Sequence, residues 1–318
     1  MRTSGPLRTA AITFPVLLVA FWFTALFFGI TQKLGPHPVA AVASFALLLA
    51  PYWFLGFGLA VPLKTLLTRP HQRIAAAALF LLPYLVFSIP RGEFRAALCA
   101  ELLLAILAII AILELVPSIW ADYGVLLAVA LIIERHVFAA AWPIPGLTGL
   151  EKFLFVDVML YGYLVIRPKV EIGFDFRARV SDFGVGLREF AFYAPAALAL
   201  GFALGFLHLH KTLGNPAWLG AGWLFTLFFV ALPEEIFFRG ILLNLLEKKM
   251  GTRAALIVSS AIFGLAHFNK RAVFNWRYVI LAAIAGVFYG RSYLANRRIL
   301  SAGVTHATVD TVWSIWLR

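Results

Sequence analysis

The feature that most limits the fold is a series of apolar runs, each close to the length of a membrane crossing. A hydrocarbon core takes about 20 predominantly apolar residues of helix to span. The chain offers runs of this kind at 10–31, 39–62, 74–89, 98–116, 123–142, 150–167, 189–207, 217–246, 254–268, 277–295 and 299–317. Those at 74–89 and 254–268 are short, and Glu134, Arg135 and His136 interrupt another, so some are expected to be re-entrant or interfacial. Of 318 residues, 62% are hydrophobic and 13% charged, against about 45–50% apolar and about 25% charged in soluble domains. The expected fold is all-α, a polytopic transmembrane bundle of eight to eleven membrane segments.

The first run follows Arg2 and Arg8, is rich in Phe and Trp and lacks a clear small-residue cleavage site; it reads as a retained signal anchor, not a signal peptide. Cys99 is the only cysteine, which rules out an intrachain disulfide and a thiolate metal cluster. The net charge of +12 is scattered through short loops between apolar spans. That pattern belongs to topology signals and contact with anionic lipid headgroups, and it excludes nucleic acid as a partner.

One long polar interval, 167–188, separates two groups of helices and has room for an interfacial amphipathic helix in its later part. The expected organisation is 1–166, amino-terminal transmembrane helices without an assigned role; 167–188, a polar interfacial linker; and 189–318, the part that carries chemistry. There is no internal repeat. In the first part Glu101, Glu114, Asp122 and Glu134 lie near span ends and read as interfacial groups, whereas Asp157 has no evident partner. The loops near 167–188, 247–253 and 291–298 hold eleven Lys and Arg, and the intervening loops hold four, Lys211, Lys270, Arg271 and Arg277. This asymmetry puts the first set in the cytoplasm. The protein is expected to be integral to a cytoplasmic-type membrane, with its N-terminus in the cytoplasm.

Inside the run at 217–246 stands "ALPEEIFFRG". An ionisable side chain at mid-bilayer costs about 2.5–3.5 kcal/mol on insertion scales, so two carboxylates and a guanidinium together call for a reason. Residues four apart share a helix face; Glu235 and Arg239 can therefore brace one another while Glu234 points elsewhere, towards a cavity. The alternative is a purely structural network of all three. "FGLAHF" puts Phe263 and His267 on one face, and "THATVD" does the same for His306 and Asp310. A lone His in such a helix is commonly a packing residue. At 1.5 Å per residue from the cytoplasmic ends, Glu234 lies roughly 18 Å deep, His267 roughly 21 Å and His306 roughly 12 Å, which favours one shared polar cavity.

A Glu and two His in a wet, otherwise apolar pocket can hydrolyse an amide. The carboxylate takes a proton from water, the water attacks a carbonyl, and an imidazole with a nearby donor holds the oxyanion. Glu234, His267 and His306 are equally a catalytic zinc set with an open position for water, although H-E-x-x-H is absent.

In order and spacing, "EEIFFR", "FGLAH" and "HATVD" resemble the E-E-x-x-x-R, F-x-x-x-H and H-x-x-x-N/D motifs of the CPBP family (also called ABI), the CAAX-protease and bacteriocin-processing membrane proteins that include the Rce1-type prenyl proteases. The resemblance spans roughly 185–318. It implies Glu234 as general base helped by His267, His306 and Asp310 as an oxyanion hole, and Glu235, Arg239 and Phe263 in support. It further implies water activated by glutamate, with no required cofactor, zinc remaining the option. The Rce1-type pattern has Asn where this chain has Asp310. A carboxylate donates a hydrogen bond only when protonated, so Asp310 is either neutral, or orients His306, or binds a metal.

Gly286 and Gly290 form a small-xxx-small face for close helix contact; Tyr289 and Tyr293 are read as interfacial or core aromatics outside the site. The expected function is an intramembrane endopeptidase, CAAX-protease-like, acting on a membrane-associated peptide or protein and in contact with lipid. The alternatives are the zinc-dependent hydrolysis, a non-catalytic scaffold or immunity protein, and a proton-coupled transporter.

Overall fold

The structure is a computed structural model that describes residues 5–35, 37–145, 149–168, 170–209, 216–269 and 275–317. These residues form helices and short connections, with no strand among them, as the apolar runs predict. The chain divides into two compact units, 1–169 and 170–318.

The first unit contains α1 (Gly5–Phe27), α2 (Pro38–Gly56), α3 (Ala60–Leu66), α4 (Pro70–Ala77), α5 (Leu82–Ser88), α6 (Ala96–Leu115), α7 (Ile119–Glu134) and α8 (Glu151–Tyr161). Its centre is α8, every residue of which except Lys152 is buried. The charged groups of this unit meet in small sets. Arg73 Nη2 lies 2.5 Å from Glu114 Oε1, and His136 Nδ1 lies 2.8 Å from Glu151 Oε1. Arg167 Nη1 and the Tyr163 hydroxyl both donate to Asp122 Oδ1, at 2.5 and 3.0 Å. Asp157 is buried, and its Oδ1 has no partner among the described residues.

Among the described residues, five helices are long and apolar enough to cross a membrane: Gly5–Phe27, Pro38–Gly56, Pro70–Ser88, Ala96–Leu115 and Trp276–Asn296. The α1 side chains are largely uncovered by protein, with Val16 66% and Phe23 64% exposed, a surface suited to lipid. The protein is an integral membrane protein of the helical, multi-pass kind.

The second unit holds α9 (Val180–Ala203), α10 (Pro216–Thr226), α11 (Leu232–Glu235), α12 (Asn244–Leu265), α13 (Trp276–Asn296) and α14 (Ile299–Trp316). The segments Leu227–Ala231 and Ile236–Leu243 are π-helical and join α10, α11 and the start of α12 into one helical run. That run ends at Gly251, where φ is 76°; a Cβ would make this conformation costly, and glycine adopts it readily. Beyond it, the rest of α12 packs on α13 through small residues. A Cβ on Gly264 would lie 2.6 Å from the Val279 carbonyl oxygen, and one on Gly290 would run into the Leu256 side chain, so the predicted close contact along α13 is present.

The segments 170–179, 244–250 and 296–299 meet at one end of this unit. Arg297 pairs with Glu247 at 2.6 Å, Arg298 with Asp182 at 2.7 Å and with Asp175 at 3.2 Å, and the Ile299 amide donates to the Gly173 carbonyl at 2.9 Å. These segments belong to, or border, the three basic intervals that loop charge is expected to place on one side of a membrane. Hydrogen bonding from Arg297 holds the Glu247 carboxyl below the usual carboxylate range, against a smaller opposing effect of burial. Asp182 also accepts from the Arg179 amide at 2.8 Å, which satisfies an orphan donor at the start of α9. With this cap and Arg298 as counter-ion, the helix begins at Val180 and takes in the later part of the polar interval. Arg2, Lys169, Lys211, Lys270 and Arg271 lie outside the described residues.

Candidate active site

The motif carboxylates stand on the short α11, between two π-helical stretches. Pro233 has no N–H to offer the carbonyl four residues back and its ring crowds that carbonyl, and the helix just before it is widened over Leu227–Ala231. Short π-helical insertions recur at functional sites. Within this frame Glu235 and Arg239 are both fully buried and paired, Oε1 to Nη1 at 3.0 Å. Arg239 Nη2 donates to the Gly286 carbonyl at 2.9 Å. A Cβ on Gly286 would lie 3.2 Å from that same Nη2, so glycine there is what lets the guanidinium reach α13. Glu234 is less enclosed, its side chain 15% exposed.

His306 is carried in by α14, which is pressed against its neighbours. A Cβ on Gly303 would lie 2.7 Å from Leu232, and one on Gly186 2.6 Å from Val304. The Thr305 hydroxyl is 3.0 Å from both the Gly186 carbonyl and the Ser292 hydroxyl. Close backbone approach with an interhelical hydroxyl bond is the usual means of fixing helices in a membrane. The imidazole is 2% exposed and has three carboxylates around it. Nδ1 lies 2.8 Å from Glu235 Oε1, while Nε2 lies 3.5 Å from Asp310 Oδ2 and 3.9 Å from Glu234 Oε2. A carboxylate only accepts, so the hydrogen-bond network assigns the Nδ1 proton to the bond with Glu235. Glu235 thus braces Arg239 and also orients His306, which the i,i+4 spacing did not foretell.

His267 reaches the same cluster through aromatic rings. Phe263 lies with its centroid 4.7 Å from that of His267 and 5.7 Å from that of His306, and it covers the Arg239 guanidinium at 4.6 Å. His267 Nδ1 is 2.8 Å from the Phe263 carbonyl oxygen; that bond takes the Nδ1 proton and leaves Nε2 as the basic nitrogen. Phe263, His267, His306 and Asp310 all line one cavity of about 100 Å³, otherwise walled by apolar and aromatic side chains, most of them from α9, α13 and α14. Glu234 is not part of that wall; it meets the cluster at the Nε2 side of His306.

Tyr289 is the residue that sequence reasoning left outside. Its ring stacks on His306, centroids 4.4 Å apart and planes within 15°, and it lines the cavity. A signal was available in its position between Gly286 and Gly290, on the face where α13 comes closest to the site. Tyr293, by contrast, is structural: its hydroxyl donates to the Glu171 carbonyl and accepts from Asn244.

Among the described residues, no three His, Cys, Asp or Glu side chains come together as a group able to hold a metal ion. Glu234, His267 and His306 are not gathered into such a group, and the chemistry below is written for the protein's own side chains.

Residues 216–312 match the family model described as Rce1-like, Type II CAAX prenyl endopeptidase Rce1-like. The matched stretch, a little under a third of the chain, contains Glu234, Glu235, Arg239, Phe263, His267, His306 and Asp310, so the resemblance carried by the three motifs is borne out there. The match supports an intramembrane protease. No curated protein and no solved structure matches the chain.

Proposed function

We propose that this protein is an intramembrane endopeptidase that hydrolyses a peptide bond near the end of a membrane-anchored chain with water activated by Glu234. The observation that carries the reading is the single imidazole of His306 shared by Glu234, Glu235 and Asp310 beside a cavity that is otherwise apolar.

The roles follow from geometry. Glu235, held by Arg239, fixes the His306 ring through Nδ1 and is itself too enclosed to meet water. Of the two adjacent motif carboxylates Glu234 is the more open, its side chain 15% exposed against 0% for Glu235, and it takes one proton from water as the oxygen attacks the carbonyl carbon. The carbonyl electron pair moves to oxygen, and the oxyanion is stabilised by Nε2–H of doubly protonated His306. Collapse expels the amine, which receives the proton that Glu234 took, so one water is consumed and one acid and one amine are released. His267 Nε2 assists proton movement from the other side of Phe263. The apolar walls suit a lipid-modified tail, and a CAAX-type prenylated peptide is the first substrate to try.

The test is cleavage of a panel of membrane peptides, prenylated and not, by purified wild type and by Glu234→Gln, each with and without a zinc chelator. The reading expects cleavage by wild type in chelator and a loss of about 10²–10⁴-fold in the variant. Loss of wild-type cleavage on chelation would move the chemistry to zinc. A folded wild type that cleaves nothing would favour a scaffold or a transporter.

A further inference from the structure

The site as built is rich in acceptors and short of donors. Glu234, Glu235 and Asp310 present carboxylates, Arg239 gives Nη1 and Nη2 to Glu235 and Gly286 while its Nε is enclosed, and Nδ1 of His306 is given to Glu235. An oxyanion needs more than one donor aimed at the place where charge develops. The residue four beyond His306 would supply a second one as Asn; as Asp310, when ionised, it supplies none.

Tyr289 is placed to make good that gap. The phenol ring is 2% exposed and wedged among neighbours: His306 stacked on it at 4.4 Å, the Arg239 guanidinium 5.3 Å from its centroid, and Phe263 edge-on at 5.7 Å. These contacts fix the direction of the hydroxyl. That hydroxyl makes no hydrogen bond among the described residues, yet it is not one of the enclosed polar atoms that lack a partner. It therefore meets open space, and the open space at Tyr289 is the cavity it lines together with His306 and Asp310. The groups that act on it electrostatically are Asp310, Tyr193, Glu235 and Arg239. A phenol is a strong neutral donor, and buried tyrosine hydroxyls ordinarily find a partner.

We propose that the Tyr289 hydroxyl donates a hydrogen bond to the carbonyl oxygen of the scissile bond, acting with His306 as the second oxyanion donor that Asp310 does not provide. This rests on the peptidase reading above. The carbonyl is held between Tyr289 and His306 with its carbon turned towards Glu234 and its water, and as the C–O π bond opens the phenol proton stays on Tyr289 while its bond to the oxyanion shortens.

Tyr289→Phe keeps the ring and its stacking while removing the hydroxyl. The expected result is a kcat lower by about 10²–10³-fold, the usual effect of losing one oxyanion donor, with KM and Tm close to wild type. Adding Asp310→Asn to Tyr289→Phe brings a carboxamide donor to the same wall and is expected to restore kcat at least about tenfold. Wild-type kcat in Tyr289→Phe, measured alongside an inactive Glu234→Gln, would overturn the proposal while leaving the peptidase reading intact. A fall in kcat accompanied by an equal loss of thermal stability, without rescue by Asp310→Asn, would assign Tyr289 to packing and overturn it too. Absence of turnover by folded wild type would remove the peptidase reading, and this inference with it.

Discussion

Both units of the protein bury ionisable side chains, and the pairs of the first contrast with the cluster around His306 in the second. In the first, three buried or partly buried carboxylates are answered by their own partners: Glu114 by Arg73, Asp122 by Arg167 and Tyr163, Glu151 by His136. In the second, three carboxylates converge on one imidazole beside a cavity, with a single buried guanidinium among them. A group paired off one to one has its charge neutralised, whereas three carboxylates sharing one imidazole cannot each have it as a full counter-ion. The orphan Glu235 Oε2 and Arg239 Nε mark the same imbalance. Burying charge without full pairing is costly, which makes it a sign of function. Asp157, buried with an Oδ1 that has no partner among the described residues, departs from the pattern of the first unit.

The sharpest way to break this contrast is to remove one partner from each unit. Arg239→Met takes the guanidinium from Glu235 in a fully buried place, a loss of about 3–5 kcal/mol, and is expected to unfold the second unit and abolish cleavage. Arg73→Met strands a carboxylate nearer the surface, and cleavage is expected to persist; denaturation followed by tryptophan fluorescence and peptide turnover on the two variants compare them directly. Next in size is Gly264→Leu, which forces a side chain against the Val279 carbonyl and the Ala283 backbone. Overpacking of this kind costs about 1–3 kcal/mol, and the shift of α12 carries Phe263 and His267 off the cavity wall. The expected outcome is a folded protein with a lower Tm and a several-fold lower kcat.

The smallest effect concerns the polar end of the second unit. Because Arg297 lowers the folded-state pKa of Glu247, their pairing contributes stability that is present above the unfolded pKa and is lost as pH falls through the folded one. Arg297→Gln is expected to lower Tm slightly at neutral pH, and the difference from wild type is expected to vanish in acid. A difference that grew on acidification would contradict this assignment.

Much of this was legible in the residues. The apolar runs gave the helical membrane class, the i,i+4 spacings gave Glu235 with Arg239 and His306 with Asp310, and loop charge brought together three segments that are joined by Arg297 and Arg298. What escaped were features that depend on groups distant in the chain or on departures from the 3.6-residue period. The π-helical widening around Pro233 lies outside any pattern drawn from a regular helix. The bond from His306 to Glu235 joins residues 71 apart, and the early start of α9 depends on Arg298, 116 residues beyond Asp182. Tyr289 was hidden because an aromatic on an apolar helix looks the same in sequence whether it fills a core or stacks on an imidazole, as it does on His306.

The most direct test of the contrast between the units sets Glu234→Gln beside Glu114→Gln in turnover of one membrane peptide, with Tm recorded for both. The account predicts a folded Glu234→Gln that is inactive by about 10²–10⁴-fold and a Glu114→Gln with wild-type kcat. Equal kcat in the two variants would contradict it.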